Sequence, residues 1–148
     1  MTRNTDSNDG FTAEERAAMK EHAAELRAAK RRSGKKELEA QACLDKIAEM
    51  PDADRVIAER IHALVSANAP ELDAKTWYGM PAYARDGQVI CFFQPASKFK
   101  ARYGSFGFND GALLDDGSVW ATSFAVAGLA EADEAFLGEL IRRAVSEA

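Results

Sequence analysis

Two short segments hold the side chains best suited to gripping a ligand: Trp77-Tyr78-Gly79-Met80-Pro81-Ala82-Tyr83 and Lys98-Phe99-Lys100-Ala101-Arg102-Tyr103. Tryptophan and tyrosine present flat, polarizable faces with a polar tip, methionine a soft thioether, and lysine and arginine a positive charge. If the second segment is an extended strand, alternation places Lys98, Lys100 and Arg102 on one face and Phe99, Ala101 and Tyr103 on the other. The candidate ligand-binding set is therefore Trp77, Tyr78, Met80, Pro81, Tyr83, Lys98, Lys100, Arg102 and Tyr103. Trp77 and Phe99 taken singly read more readily as core than as ligand contacts, which leaves Tyr78, Tyr83 and Arg102 as the sharper functional candidates.

Catalytic patterns are scarce. Gly104-Ser105-Phe106-Gly107 lacks the first spacer of a Gly-x-Ser-x-Gly elbow and lies in strand-like sequence. Cys43 and Cys91 stand far apart with no metal or redox spacing and read as reduced core thiols. His22 and His62 have no metal-ligating partner one helical turn on, and no phosphate-cradling glycine pattern follows any strand. Asp110, Asp115 and Asp116 supply oxygens that could hold a hard cation. Acidic residues in turns and at helix starts also have a plain structural role, and Glu131, Asp133 and Glu134 fall at such a start. Binding without catalysis is thus the leading expectation, weak cation binding the first alternative, and an enzyme using Tyr78, Tyr83 or His62 as acid or base the second.

Composition narrows the setting. A chain of 148 residues, 47% hydrophobic and 29% charged, suits one soluble globular domain. No apolar run reaches the roughly 20 residues a membrane-spanning helix needs, and Met1 to Gly10 lacks a signal-peptide core, so a cytoplasmic protein is expected. The net charge of −5 divides into +1 over residues 1–34 and −6 over the remainder. An acidic main body disfavours nucleic acid as a partner. A small molecule or a protein segment fits better.

These residues need elements to position them. Residues 1–10 read as a disordered tail and 11–34 as a helical extension, opened by a capping box from Thr12 to Glu15 and interrupted at Ser33-Gly34. Its alanine-rich face is also a candidate homodimer contact. Residues 35–148 read as the main domain. Ala40, Cys43, Leu44 and Ile47 mark a second helix, and Ile57, Ile61, Leu64 and Val65 a third, the two forming an antiparallel pair. Past Pro70 the texture turns to strands: a Gly79-Met80-Pro81 bend leads into Ala82 to Ala84, followed by Gln88 to Phe93 across an Asp86-Gly87 turn, Tyr103 to Phe108, and Val119 to Val126. The unbroken apolar run from Val89 to Phe93 predicts a central strand covered on both faces, or at least deeply buried. Phe136 or Leu137, Leu140, Ile141, Ala144 and Val145 stripe a last helix, supported by a Glu139–Arg143 pair. The expected class is α+β, a four-stranded antiparallel meander packed against helices, with an N-terminal helical extension.

The segments Trp77 to Tyr83, Gly87 to Phe93, Lys98-Phe99-Lys100-x-Arg102-Tyr103, Gly107-Phe108, Leu114-Asp115-Asp116-Gly117 and Trp120 together resemble the YdhG-like family, a domain of unknown function. Gly10 to Met19 resembles the extra N-terminal helix of an actinobacterial-type subgroup. Ala121 stands where relatives often carry proline. The resemblance implies an α+β fold, no established catalytic residues, and, since some relatives are described as frataxin-like iron chaperones, iron as a cofactor to be tested.

Overall fold

The computed structural model describes residues 12–146, so the tail expected over residues 1–10, and Phe11, lie outside the described residues. The chain divides into two compact units, Met1–Lys35 and Lys36–Ala148. The described part of the first is helical throughout. It opens with the expected capping box: the Thr12 amide donates to Glu15 Oε1 at 2.7 Å and the Glu15 amide to Thr12 Oγ1 at 3.0 Å. These bonds, the one from the Thr12 backbone foremost, favour the Glu15 carboxylate and lower its pKa.

Helix α1 spans Ala13–Ala48 and runs unbroken through Ser33 and Gly34, where an interruption was expected. A helical glycine costs only about 1 kcal/mol relative to alanine, and the good helix formers that follow, Lys35 to Ala40, carry the helix across it. Pro51 then stops the chain from continuing, and α2 follows at Asp52–Asn68, with α3 at Glu131–Val145.

The sheet has five strands where four were expected: β1 Asp73–Trp77, β2 Met80–Arg85, β3 Gln88–Gln94, β4 Gly104–Phe108 and β5 Ser123–Val126. All neighbours are antiparallel and the spatial order follows the chain, which makes the sheet a meander as anticipated. The extra strand is β1. It is joined to β2 by Tyr78-Gly79, whose φ angles of 52° and 73° form the same kind of tight two-residue turn as Asp86-Gly87, at 52° and 83°. The last strand is shorter than expected, and Val119 and Trp120 lie exposed before it.

Register fixes which residues share a face. Tyr83 pairs with Cys91 and Cys91 with Phe108, while Phe93 pairs with Phe106 and Phe106 with Phe124. This face meets the helices. Cys43, Ile47 and Met50 from the end of α1 and its exit, Ala58, Ile61 and Val65 from α2, and Leu137, Ile141 and Ala144 from α3 complete one continuous core. α2 closes on α3, where Gly138 permits close approach to Asn68 and Arg60 grips Glu134 with two bonds of 3.0 and 2.6 Å. On α3, Glu139 pairs with Arg142 at 2.5 Å instead of with Arg143, because Arg142 is also the residue that reaches Asn68 of α2. No helix among the described residues is long and apolar enough to cross a membrane.

Candidate functional site

The opposite face of the sheet is built differently. Its central row, read across the strands, is Lys75, Ala82, Phe92, Gly107 and Ser123, one large ring among small or polar neighbours. Ala82, Ala84 and Val89 are buried beneath Trp77 and Phe92, both of which stay half-buried. The expectation that β3 is covered on both faces therefore fails at Phe92 alone; Val89, Ile90, Cys91 and Phe93 are buried.

Trp77 organises an aromatic cluster on this face. Its ring centroid lies 5.1 Å from that of Phe92 and 4.9 Å, nearly edge-on, from that of Tyr78. Tyr78 is 77% exposed and holds a left-handed backbone conformation. That combination is costly for an aromatic residue, since the left-handed region favours glycine, asparagine and aspartate. The sister turn uses Asp86 for the same task.

Lys98 joins the cluster from the β3–β4 connection. A Cβ added at Gly79 would lie 2.9 Å from Lys98 Nζ, so the ammonium rests against the backbone of the Tyr78-Gly79 turn. It also stands 5.8 Å from the centre of the Phe99 ring, and no carboxylate pairs with it among the described residues. Its position is set by a buried carboxylate at the start of α2: Asp54 accepts a bond of 3.3 Å from the Ser97 amide and a second, short one from the Ser97 hydroxyl.

The second sequence segment departs from expectation. Ser97–Phe99 forms a 3-10 turn, and Lys100 closes it with φ 52° and an amide bond of 3.3 Å to the Ser97 carbonyl. Strict alternation is lost. Lys98, Lys100 and Arg102 consequently do not form a ridge on one strand face; Arg102 instead lies over the Tyr103 ring at 5.2 Å. Met80 and Pro81 are buried.

Tyr83 lies on the other face of the sheet. It is only 2% exposed and belongs to the helix-covered face, with its hydroxyl 3.0 Å from His62 Nδ1. The Cys43 thiol also interacts with that hydroxyl. Burial first, and the neighbouring thiols second, push the phenol pKa well up. Burial pushes Cys91 up to about 12 and raises Cys43, so both cysteines are the buried free thiols the sequence suggested. Burial also lowers the pKa of His62, leaving a neutral imidazole at pH 7.

Among the described residues no three His, Cys, Asp or Glu side chains come together to hold a metal ion, and Asp110, Asp115 and Asp116 form no such group. Of the residues named from sequence, Trp77, Tyr78 and Lys98 are brought together. Phe92 was missed because an apolar run hides which of its members faces outward; Gly107, the small residue opposite it, was the available signal.

Fold and surface together define an α+β protein with one helix-covered and one aromatic, partly open sheet face. No protein family, curated protein or solved structure matches the chain.

Proposed function

We propose that this chain is a non-enzymatic binding protein whose recognition surface is the aromatic sheet face formed by Trp77, Tyr78 and Phe92, with Lys98 at its edge. The partner is a small ligand or a protein segment that offers a flat ring and a negative charge. One observation carries this reading: Tyr78 occupies a turn position where aspartate or asparagine would be easier to hold, and its ring is spread into solvent. Backbone strain of this kind gathers at functional positions. Trp77 braces the ring from one side. The Lys98 ammonium, without a carboxylate partner among the described residues, supplies the attraction for an anion, and the Ala82–Gly107 floor leaves Phe92 room to lie low.

Iron binding gains no support from the placement of Asp110, Asp115 and Asp116.

A thermal-shift screen of aromatic carboxylates and aromatic phosphates against the full chain tests the proposal. Hits should be weakened by both Tyr78→Asn and Lys98→Glu. Hits indifferent to both variants, or a screen with none, would refute it.

A further inference from the structure

On the other side of the sheet, the His62–Tyr83 pair opens onto space. A recess of about 240 Å³ is lined by Leu44 of α1, His62 and Val65 of α2, Leu72 and Ala74 leading into and along β1, and Tyr83 of β2. A second recess of about 280 Å³ adjoins it, sharing Leu44 and His62 and bordered by Glu59. Nothing in the proposed aromatic surface uses these groups.

We propose that this recess is a second binding site, for a small neutral apolar compound carrying one hydrogen-bonding atom, of the size of phenol or indole. Three features select that class. The walls are mostly apolar, with the Ser66 hydroxyl among them, and a cavity of about 150 Å³ is already enough to take up benzene when its lining is dry. The one imidazole handle is His62. His62 Nδ1 is committed to the Tyr83 hydroxyl, and Nε2 has no protein partner among the described residues. Third, the charge is wrong for anions: the imidazole is held neutral by burial, and Glu59 stands at the border.

The Tyr83 hydroxyl makes the handle adaptable. When it donates to Nδ1, Nε2 carries the proton and donates to a ligand oxygen. When Nδ1–H donates to the phenol oxygen, the hydroxyl proton turns towards Cys43, and Nε2 accepts from a ligand N–H or O–H. A neutral donor and a neutral acceptor are thus both served without any charge entering the core. Specificity then lies in shape and neutrality.

The test is a titration of full-length, 15N-labelled protein with phenol, indole and benzoate, reading the His62 ring nitrogens and the melting temperature. Phenol or indole should shift the His62 Nε2 resonance and raise the melting temperature, with benzoate binding at least about tenfold more weakly. His62→Leu, which removes the handle, and Ala74→Leu, which fills the recess from β1, should each weaken indole by about tenfold, whereas Tyr78→Asn should leave it unchanged. The proposal is overturned by any of three results. The first is no His62 shift with either neutral probe up to its solubility. The second is indole binding retained in both His62→Leu and Ala74→Leu. The third is indole binding lost in Tyr78→Asn, which would place the probe on the aromatic face.

Discussion

The far end of the Phe92 ring rests on the backbone of Gly107: a Cβ built there would lie 2.5 Å from Phe92 Cζ. No side chain fits beneath the ring without moving it. Gly107→Val should therefore cost about 1–3 kcal/mol through overpacking, read as a lower urea midpoint. Because the ring must move from its place beside Trp77, the same variant should also weaken aromatic anions. Unchanged stability would mean that Phe92 swings aside freely.

Tyr78→Asn separates stability from recognition. Asparagine tolerates φ near 52° better than tyrosine, so the variant should be more stable by about 1 kcal/mol while losing affinity for aromatic anions. A variant that is less stable than the parent would show instead that the Tyr78 ring is held mainly by packing on Trp77.

Asp54 couples the core to the binding face. Its carboxylate is 7% exposed and accepts both the amide and the hydroxyl of Ser97. Asp54→Ala leaves those donors unmet and should destabilise the fold by about 1–3 kcal/mol. It should also let the 3-10 turn drift, moving Lys98 away from Gly79. Hydrogen exchange at the Ser97 and Lys100 amides would report this directly, and unchanged protection there would refute the coupling.

His62 gives the fold a pH dependence of definite sign. Burial depresses its pKa below the ordinary imidazole value. As pH falls through about 6.5 the unfolded chain takes up the proton first, so stability declines from there until the folded imidazole protonates as well. Above that range the contribution is fully present. The urea midpoint at about pH 5.5 should lie below that at pH 7.5, and His62→Gln should narrow the gap. An equal gap in both proteins would assign the titration to other groups.

Much of the architecture was legible because it rests on local chemistry. The Thr12–Glu15 box, the Asp86-Gly87 turn and the spacing of Leu137, Ile141 and Ala144 each carry their own physical reason and appear in the fold. What escaped depends on context. The bend expected at Gly79-Met80-Pro81 falls at Tyr78-Gly79 instead, whose first residue is a poor choice for a turn, while Met80 and Pro81 belong to β2, so β1 stayed hidden. Lys98 to Tyr103 alternates in type but not in conformation, since the left-handed Lys100 breaks the strand before it forms. Tyr83 has the composition of a surface residue, yet its hydroxyl is satisfied internally by His62, a contact 21 positions away that no local pattern announces.

Cys43 and Cys91 are completely buried in one core, the first on a helix and the second on the middle strand of the sheet. A disulfide reagent can reach either sulfur only when the structure around it opens. The protein therefore carries two clocks of its own: the rate at which Cys43 is modified times the lifting of the helix, and the rate at Cys91 times the parting of the sheet. If the two rates coincide, helix and sheet come apart in a single cooperative event; if Cys43 reacts faster, the helical layer leaves first.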